Sequence, residues 1–109
     1  MAYAQGSVVL APATFKSGVR PYLVVSNRNR PFFGDRYTVA VITSTERETA
    51  VELTADSLTE GELKTYPSYV SLWSLHVFPH QEVIKRVAQV DDSTMTMVAD
   101  TVHELTRVL

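Results

Sequence analysis

Gly18-Val-Arg-Pro-Tyr-Leu-Val-Val-Ser26, the loop Asn27–Arg36, and Tyr37-Thr-Val-Ala-Val-Ile-Thr43 form the stretch that decides the fold. Both flanking runs are rich in β-branched and aromatic residues, the composition of strands. If they pair antiparallel across the loop, a register that sets Ser26 opposite Tyr37 also sets Arg20 opposite Thr43. Directly opposed side chains share a face and stand with Cβ atoms roughly 4.5–5.5 Å apart. A permanently charged guanidinium beside a hydroxyl suits a phosphate better than it suits a core.

Working outward, Ser7-Val-Val-Leu-Ala11 reads as a first strand ended by Pro12, and Ala13–Val19 as a turn or loop. Glu46-Arg47-Glu48 is a charged turn before a short strand, Thr49–Leu53, with Val51 and Leu53 on one face and Glu52 solvated on the other. Thr54–Tyr66 is polar and predicts no more than one helical turn. Ser68–Leu75 is a strand between Pro67 and Pro79, and Val83–Val90 is a strand or a helical turn leading into one. Then the period changes. Met95, Val98, Ala99, Val102, Leu105 and Leu109 recur at helical spacing, with Asp91 or Asp92 available as the cap and Arg107 near the other end. This helix is expected to pack on the sheet and close the core. Short strands followed by one helix predict a mainly β chain, a small curved antiparallel sheet or barrel with a C-terminal α-helix.

Bulk properties narrow the class. With 109 residues and a formal net charge of −2, residues 1–109 are expected to form one domain without a broad basic surface. There is no cysteine, which excludes disulfides, thiolate catalysis and sulfur-bound zinc. No signal peptide is recognisable, and no apolar run approaches the roughly 18–20 residues of a membrane span. A cytoplasmic protein without membrane contact is the expectation.

Several groups could carry chemistry. The ordinary alternative for Arg20 is a surface arginine opening a strand, its backbone held extended by Pro21. Against it stands the hydroxyl cluster Thr43-Ser44-Thr45, which beside a guanidinium can bind phosphate oxygens and stabilise the added charge of a pentacoordinate transition state. RNA brings its own nucleophile, the 2′-hydroxyl, so no metal, cofactor or covalent nucleophile is expected. Within Asn27–Arg36, Arg28, Arg30 and Arg36 interleave with Phe32 and Phe33, and Asn27 opens the loop. Cations beside aromatic rings suit single-stranded nucleic acid, where stacking contributes roughly 1–3 kcal/mol per base. The alternative is a loop whose phenylalanines tuck under it as a plug; Pro31 and Gly34 fit both. His76 and His80 have the spacing of helical metal ligands, but Pro79 and strand-like neighbours make that spacing uninformative. His76 alone could act as a general acid or base. Trp73 could stack a base or pack in an interface.

Taken in order, Gly6-Ser-Val-Val-Leu10, Gly18–Ser26, Val39-Ala-Val-Ile-Thr-Ser44, Thr49–Leu53, Ser68-Tyr-Val-Ser-Leu72 and the acid-capped terminal helix resemble the MazF/PemK family of toxin endoribonucleases. The resemblance implies an SH3-like barrel that dimerises, binds single-stranded RNA and cleaves it without metal to a 2′,3′-cyclic phosphate and a 5′-hydroxyl. It also implies a cognate antitoxin whose tail fills the RNA groove. The family's catalytic arginine and threonine fall on Arg20 and Thr43. Departures are visible. Ser7 follows Gly6 where the family usually has an acidic residue, and Phe15 falls where many members have another. The late strand reads Trp73, Ser74 and His76 where the family commonly has an acid, a glutamine and an arginine, leaving His76 as the substitute acid–base group. The competing reading is a binding module on the same barrel, either a relative that has lost catalysis or one that poisons a protein such as DNA gyrase, as CcdB relatives do.

Overall fold

The computed structural model describes residues 2–14 and 16–109. Phe15, set above against the family's acidic position, lies outside the described residues. The strands are β1 (Ser7–Pro12), β2 (Val19–Val24), β3 (Arg36–Thr43), β4 (Val51–Leu53), β5 (Leu58–Gly61), β6 (Ser68–Pro79) and β7 (Lys85–Val90), followed by helix α1 (Asp92–Thr106). They form one sheet in the order β4-β6-β3-β2-β1-β7-β5 with every neighbour antiparallel. The two edge strands are successive in the chain, linked by a 3₁₀ turn at Ala55–Ser57, so the sheet curls into a nearly closed barrel.

Alternation sends successive residues of the central strands to opposite faces. One face buries Val8, Leu23, Ala40, Ile42, Val70 and Leu72 together with Val98 of α1; the other buries Val9, Ala11, Tyr22, Val24, Tyr37 and Val39. Covering both faces explains why β1, β2 and β3 read as near-continuous apolar runs. Tyr3 and Phe78 pack against the second cluster, and α1 lies on the first.

The β2–β3 ladder runs Tyr22↔Val41, Leu23↔Ala40, Val24↔Val39, the expected register, but it stops at Tyr22↔Val41, two residues short of Arg20 and Thr43. At the loop end it breaks. Val25 and Ser26 both donate to the Thr38 carbonyl, at 3.0 and 3.3 Å, so Ser26 does not stand opposite Tyr37 in a regular ladder.

Elsewhere the fold departs from the sequence pattern in four places. Leu58–Gly61 is a strand inside the segment read as a polar loop; it is an edge strand whose side chains are largely exposed, so alternation leaves no apolar signature. Gly61 holds φ +73 there, and a Cβ would collide with the Val87 carbonyl. β4 starts at Val51, two residues late. β6 continues through His76 to Pro79, with Leu75–Pro79 paired to β3 beyond an irregularity in the ladder. On α1 only Val98 of the apolar stripe is buried, with Met95 and Val102 half-buried, while Thr94 is buried instead. Ala99 and Leu105 are exposed and Leu109 lies beyond the helix, because the helix is tied down at its start. Asp91 accepts the Thr94 N–H at 2.8 Å as N-cap and donates its own N–H to the Ser57 carbonyl at 2.8 Å.

Candidate functional site

Between β3 and β6 the pairing shifts from Val41↔Ser71 to Ala40↔Leu75, leaving Leu72, Trp73 and Ser74 of β6 without counterparts on β3. This bulge re-aims the strand beyond it. His76 then faces the same side as its partner Val39, edge-on to the Tyr22 ring with centroids 6.3 Å apart. Opposite it, β2 presents Arg20, and the β1–β2 turn rises alongside. The result is a cleft of about 360 Å³ walled by Thr14, Lys16, Arg20, Tyr22, Val41, Ser74 and His76.

Arg20 is half-buried in this wall. Its Nη2 donates to the Ile42 carbonyl at 3.3 Å, while its Nε is buried without a partner, the one such side-chain atom among the described residues. An unmade bond on a charged group costs about 1–3 kcal/mol or more, so the guanidinium is held below its bonding capacity. Tyr22 is fully buried; its hydroxyl donates to the Pro12 carbonyl at 2.9 Å and its ring packs edge-on to Phe78 at 4.9 Å.

The residues selected from sequence separate into three places. Arg20, Ser74 and His76 share the cleft. Thr43 ends β3, half-buried and outside the cleft wall, its Oγ1 accepting the Thr45 N–H at 3.2 Å; Ser44 follows it, exposed. Arg20 touches the peptide just before Thr43 rather than its hydroxyl. The Asn27–Arg36 loop closes the opposite end of the β2–β3 hairpin, roughly 20–23 Å from Arg20 at about 3.3 Å per residue over seven residues. Asn27 caps its own turn by accepting the Asn29 N–H at 2.9 Å. Arg28 is exposed, and Arg30 donates Nε to Thr38 Oγ1 at 2.9 Å and Nη1 to the Pro31 carbonyl at 2.7 Å. The loop's phenylalanines do not form a plug. Phe32 is 69% exposed at φ 63, with the Arg36 guanidinium 5.8 Å from its ring centre, and Phe33 is also exposed. Trp73 projects from the bulge, 46% exposed and outside the cleft.

His76 and His80 do not converge. His80 lines a separate cleft with Tyr3, Arg86 and Gln89, its Nδ1 2.7 Å from the Tyr37 hydroxyl and its ring stacked on Tyr3. Sequence reading missed Thr14, Lys16, Tyr22 and Val41 as cleft residues. Tyr22 and Val41 could have been found, since they are the opposed pair one alternation inward from Arg20 and Thr43. Nothing periodic marks Thr14 or Lys16.

A nearly closed antiparallel barrel with a C-terminal helix and a cation-lined cleft defines a class, and comparison places the chain within it. The sequence profile described as PemK-like, MazF-like toxin of type II toxin–antitoxin system matches residues 4–106. The chain belongs to that family. No curated protein matches it in sequence. Among solved structures, it is similar to a mycobacterial endoribonuclease in complex with its cognate antitoxin (TM-score 0.74, 18% identity, 94% of this chain and 91% of that one). The Mycobacterium tuberculosis toxin MazF-mt6 aligns with TM-score 0.70 at 23% identity over 90% and 93% of the chains. MazE–MazF from Deinococcus radiodurans aligns with TM-score 0.75 at 16% identity over 96% of each. At such identities these likenesses concern the fold. No helix among the described residues is long and apolar enough to cross a membrane.

Proposed function

We propose that this chain is a toxin endoribonuclease that cuts single-stranded RNA sequence-selectively through its own 2′-hydroxyl, without a metal. The 2′-oxygen attacks the adjacent phosphorus, the P–O5′ bond breaks, and a 2′,3′-cyclic phosphate and a 5′-hydroxyl remain. Arg20 stabilises the charge gathering on the non-bridging oxygens, and Thr43, at the rim beyond the Ile42 carbonyl that Arg20 touches, offers one of them its hydroxyl proton, which the bond from the Thr45 N–H leaves free. His76 moves the proton, taking it from the 2′-hydroxyl or giving it to O5′. Asn27, Arg28, Arg30, Phe32, Phe33 and Arg36, with Ser44, Trp73 and Ser74, contact the flanking RNA by charge and stacking.

The observation that carries this reading is the under-bonded Arg20 guanidinium in an open cleft shared with His76. The Nε itself is buried, but an anion entering there meets the Nη groups, whose one bond is the long one to the Ile42 carbonyl. The family supports the same reading, as do relatives solved as toxin–antitoxin complexes. The partners proposed are therefore RNA, a cognate antitoxin that covers the cleft, and a second copy of the chain as homodimer.

The test is incubation of the purified protein with a long, weakly structured RNA in EDTA. Discrete fragments with 2′,3′-cyclic ends, lost in Arg20→Ala and Thr43→Ala variants that stay folded, are expected. Cleavage that persists in both variants refutes the proposed site, and intact RNA returns the barrel to the binding-module reading, a non-catalytic relative or a protein poison.

A further inference from the structure

The cleft wall contains two basic side chains, Lys16 and Arg20, and no carboxylate, in a chain with 12 Asp and Glu against 10 Lys and Arg. Among the described residues the ion pairs are Arg86–Glu60 and Arg107–Glu104, so neither cleft cation is neutralised by a salt bridge. The turn bearing Lys16 is anchored at its base. Pro12 pairs with Val19, the Ala13 N–H donates to the Gly18 carbonyl at 3.0 Å, and the buried Tyr22 hydroxyl holds the Pro12 carbonyl. Gly18 at φ +101 provides the left-handed step back into β2.

Charge counting gives this arrangement a purpose. A phosphodiester carries one negative charge, and the pentacoordinate species formed from it gathers about one more. Arg20 supplies a single positive charge, with Nη2 partly committed to Ile42 and Nε shielded from the cleft. A second cation at the same opening matches the added charge.

We infer that Lys16 is a second catalytic cation of this site, its ammonium hydrogen-bonding a non-bridging phosphate oxygen from the turn while Arg20 does so from the strand. The inference rests on the nuclease reading and deepens it. In the step concerned the 2′-O–P bond forms and the P–O5′ bond breaks. The 2′-hydroxyl proton goes to a general base and O5′ takes one from a general acid; Lys16 exchanges neither. Its contribution is charge that acts most strongly in the transition state.

The test is cleavage kinetics on an RNA oligonucleotide spanning a mapped cut site, with Lys16→Met, Lys16→Gln and Lys16→Arg in the full chain. Lys85→Met, on exposed β7, is the control. Lys16→Met and Lys16→Gln are expected to lower kcat about 10- to 100-fold with KM within about threefold, below the loss for a fully enclosed oxyanion donor because solvent screens this opening. Lys16→Arg recovers most of the rate, and Lys85→Met keeps all of it. Melting curves should coincide, since Lys16 is exposed. An unchanged kcat, with or without a raised KM, overturns the inference while leaving the nuclease intact. Wild-type protein that cuts no RNA, or cuts it equally well as Arg20→Ala, removes the nuclease reading and this one with it.

Discussion

Replacing Arg20 with methionine separates stability from activity, and the structure sets the size of both effects. The substitution removes one hydrogen bond, Nη2 to the Ile42 carbonyl at 3.3 Å, and one buried N–H without a partner. A bond from a charged donor contributes about 1.5–3 kcal/mol at good geometry, and 3.3 Å places this one near the low end. The unmet Nε works against folding by about 1–3 kcal/mol. The two nearly cancel, and methionine's unbranched chain still covers the neighbouring wall. Urea denaturation is expected to place Arg20→Met within about 1 kcal/mol of the wild type, and thermal melting within about 5 °C. RNA cleavage should fall by about 10²–10³, equivalent to roughly 3–4 kcal/mol of transition-state stabilisation. A loss of more than about 2 kcal/mol in folding stability refutes the reasoning, because it makes Arg20 a strut between β2 and β3 rather than a group held ready for an anion.

Three further outcomes follow from particular contacts. His76→Gln should keep the cleft's shape and lower kcat about 100-fold or more in the same assay, because the amide cannot exchange a proton. Gly61→Ala should cost about 2–3 kcal/mol in urea denaturation, since the residue sits at φ +73 and a Cβ would also meet the Ala88 Cα at 2.8 Å, splitting β5 from β7. Asp91 is held below the ordinary carboxylate range by hydrogen bonds from Thr94, hydroxyl before backbone N–H, with Ser93 adding and partial desolvation opposing. A depressed folded-state value means that the cap's stabilisation is complete above the ordinary carboxylate pKa and is lost as pH falls through the lowered one. Melting temperature measured downward from pH 5 should therefore decline less steeply in Asp91→Ala than in the wild type.

Legibility followed burial. The runs Val8–Ala11, Tyr22–Val24 and Tyr37–Ile42 are covered on both faces, so their composition alone announced strands, and the register posited for β2 and β3 holds over Tyr22–Val24. Asp91 was readable as a cap because the helical period starts immediately after it. Where one side of an element faces solvent the pattern failed. β5 shows only exposed or half-buried side chains, and in the latter half of α1 Val102 alone of the apolar stripe is partly covered among the described residues. The paired candidates fared unequally for a local reason. Arg20 is long enough to cross to the Ile42 carbonyl and still line the cleft, whereas the short Thr43 side chain bonds within its own turn.

The cleft itself was illegible because it depends on parity. Before the bulge, β6 sets Val70 and Leu72 in the first core cluster while Tyr69 and Ser71 lie opposite Thr43 and Val41. Unbroken alternation would carry His76 to the side of Val70 and Leu72, away from Arg20. An odd number of unmatched residues, Leu72, Trp73 and Ser74, reverses that assignment. Leu75 comes to face the side of Ala40, and His76 and Phe78 turn toward Tyr22. A strand read residue by residue cannot reveal such a reversal, since each half alternates correctly and only their junction is irregular. The imidazole that shares the cleft with Arg20 thus owes its place to three residues whose ladder partners on β3 are missing.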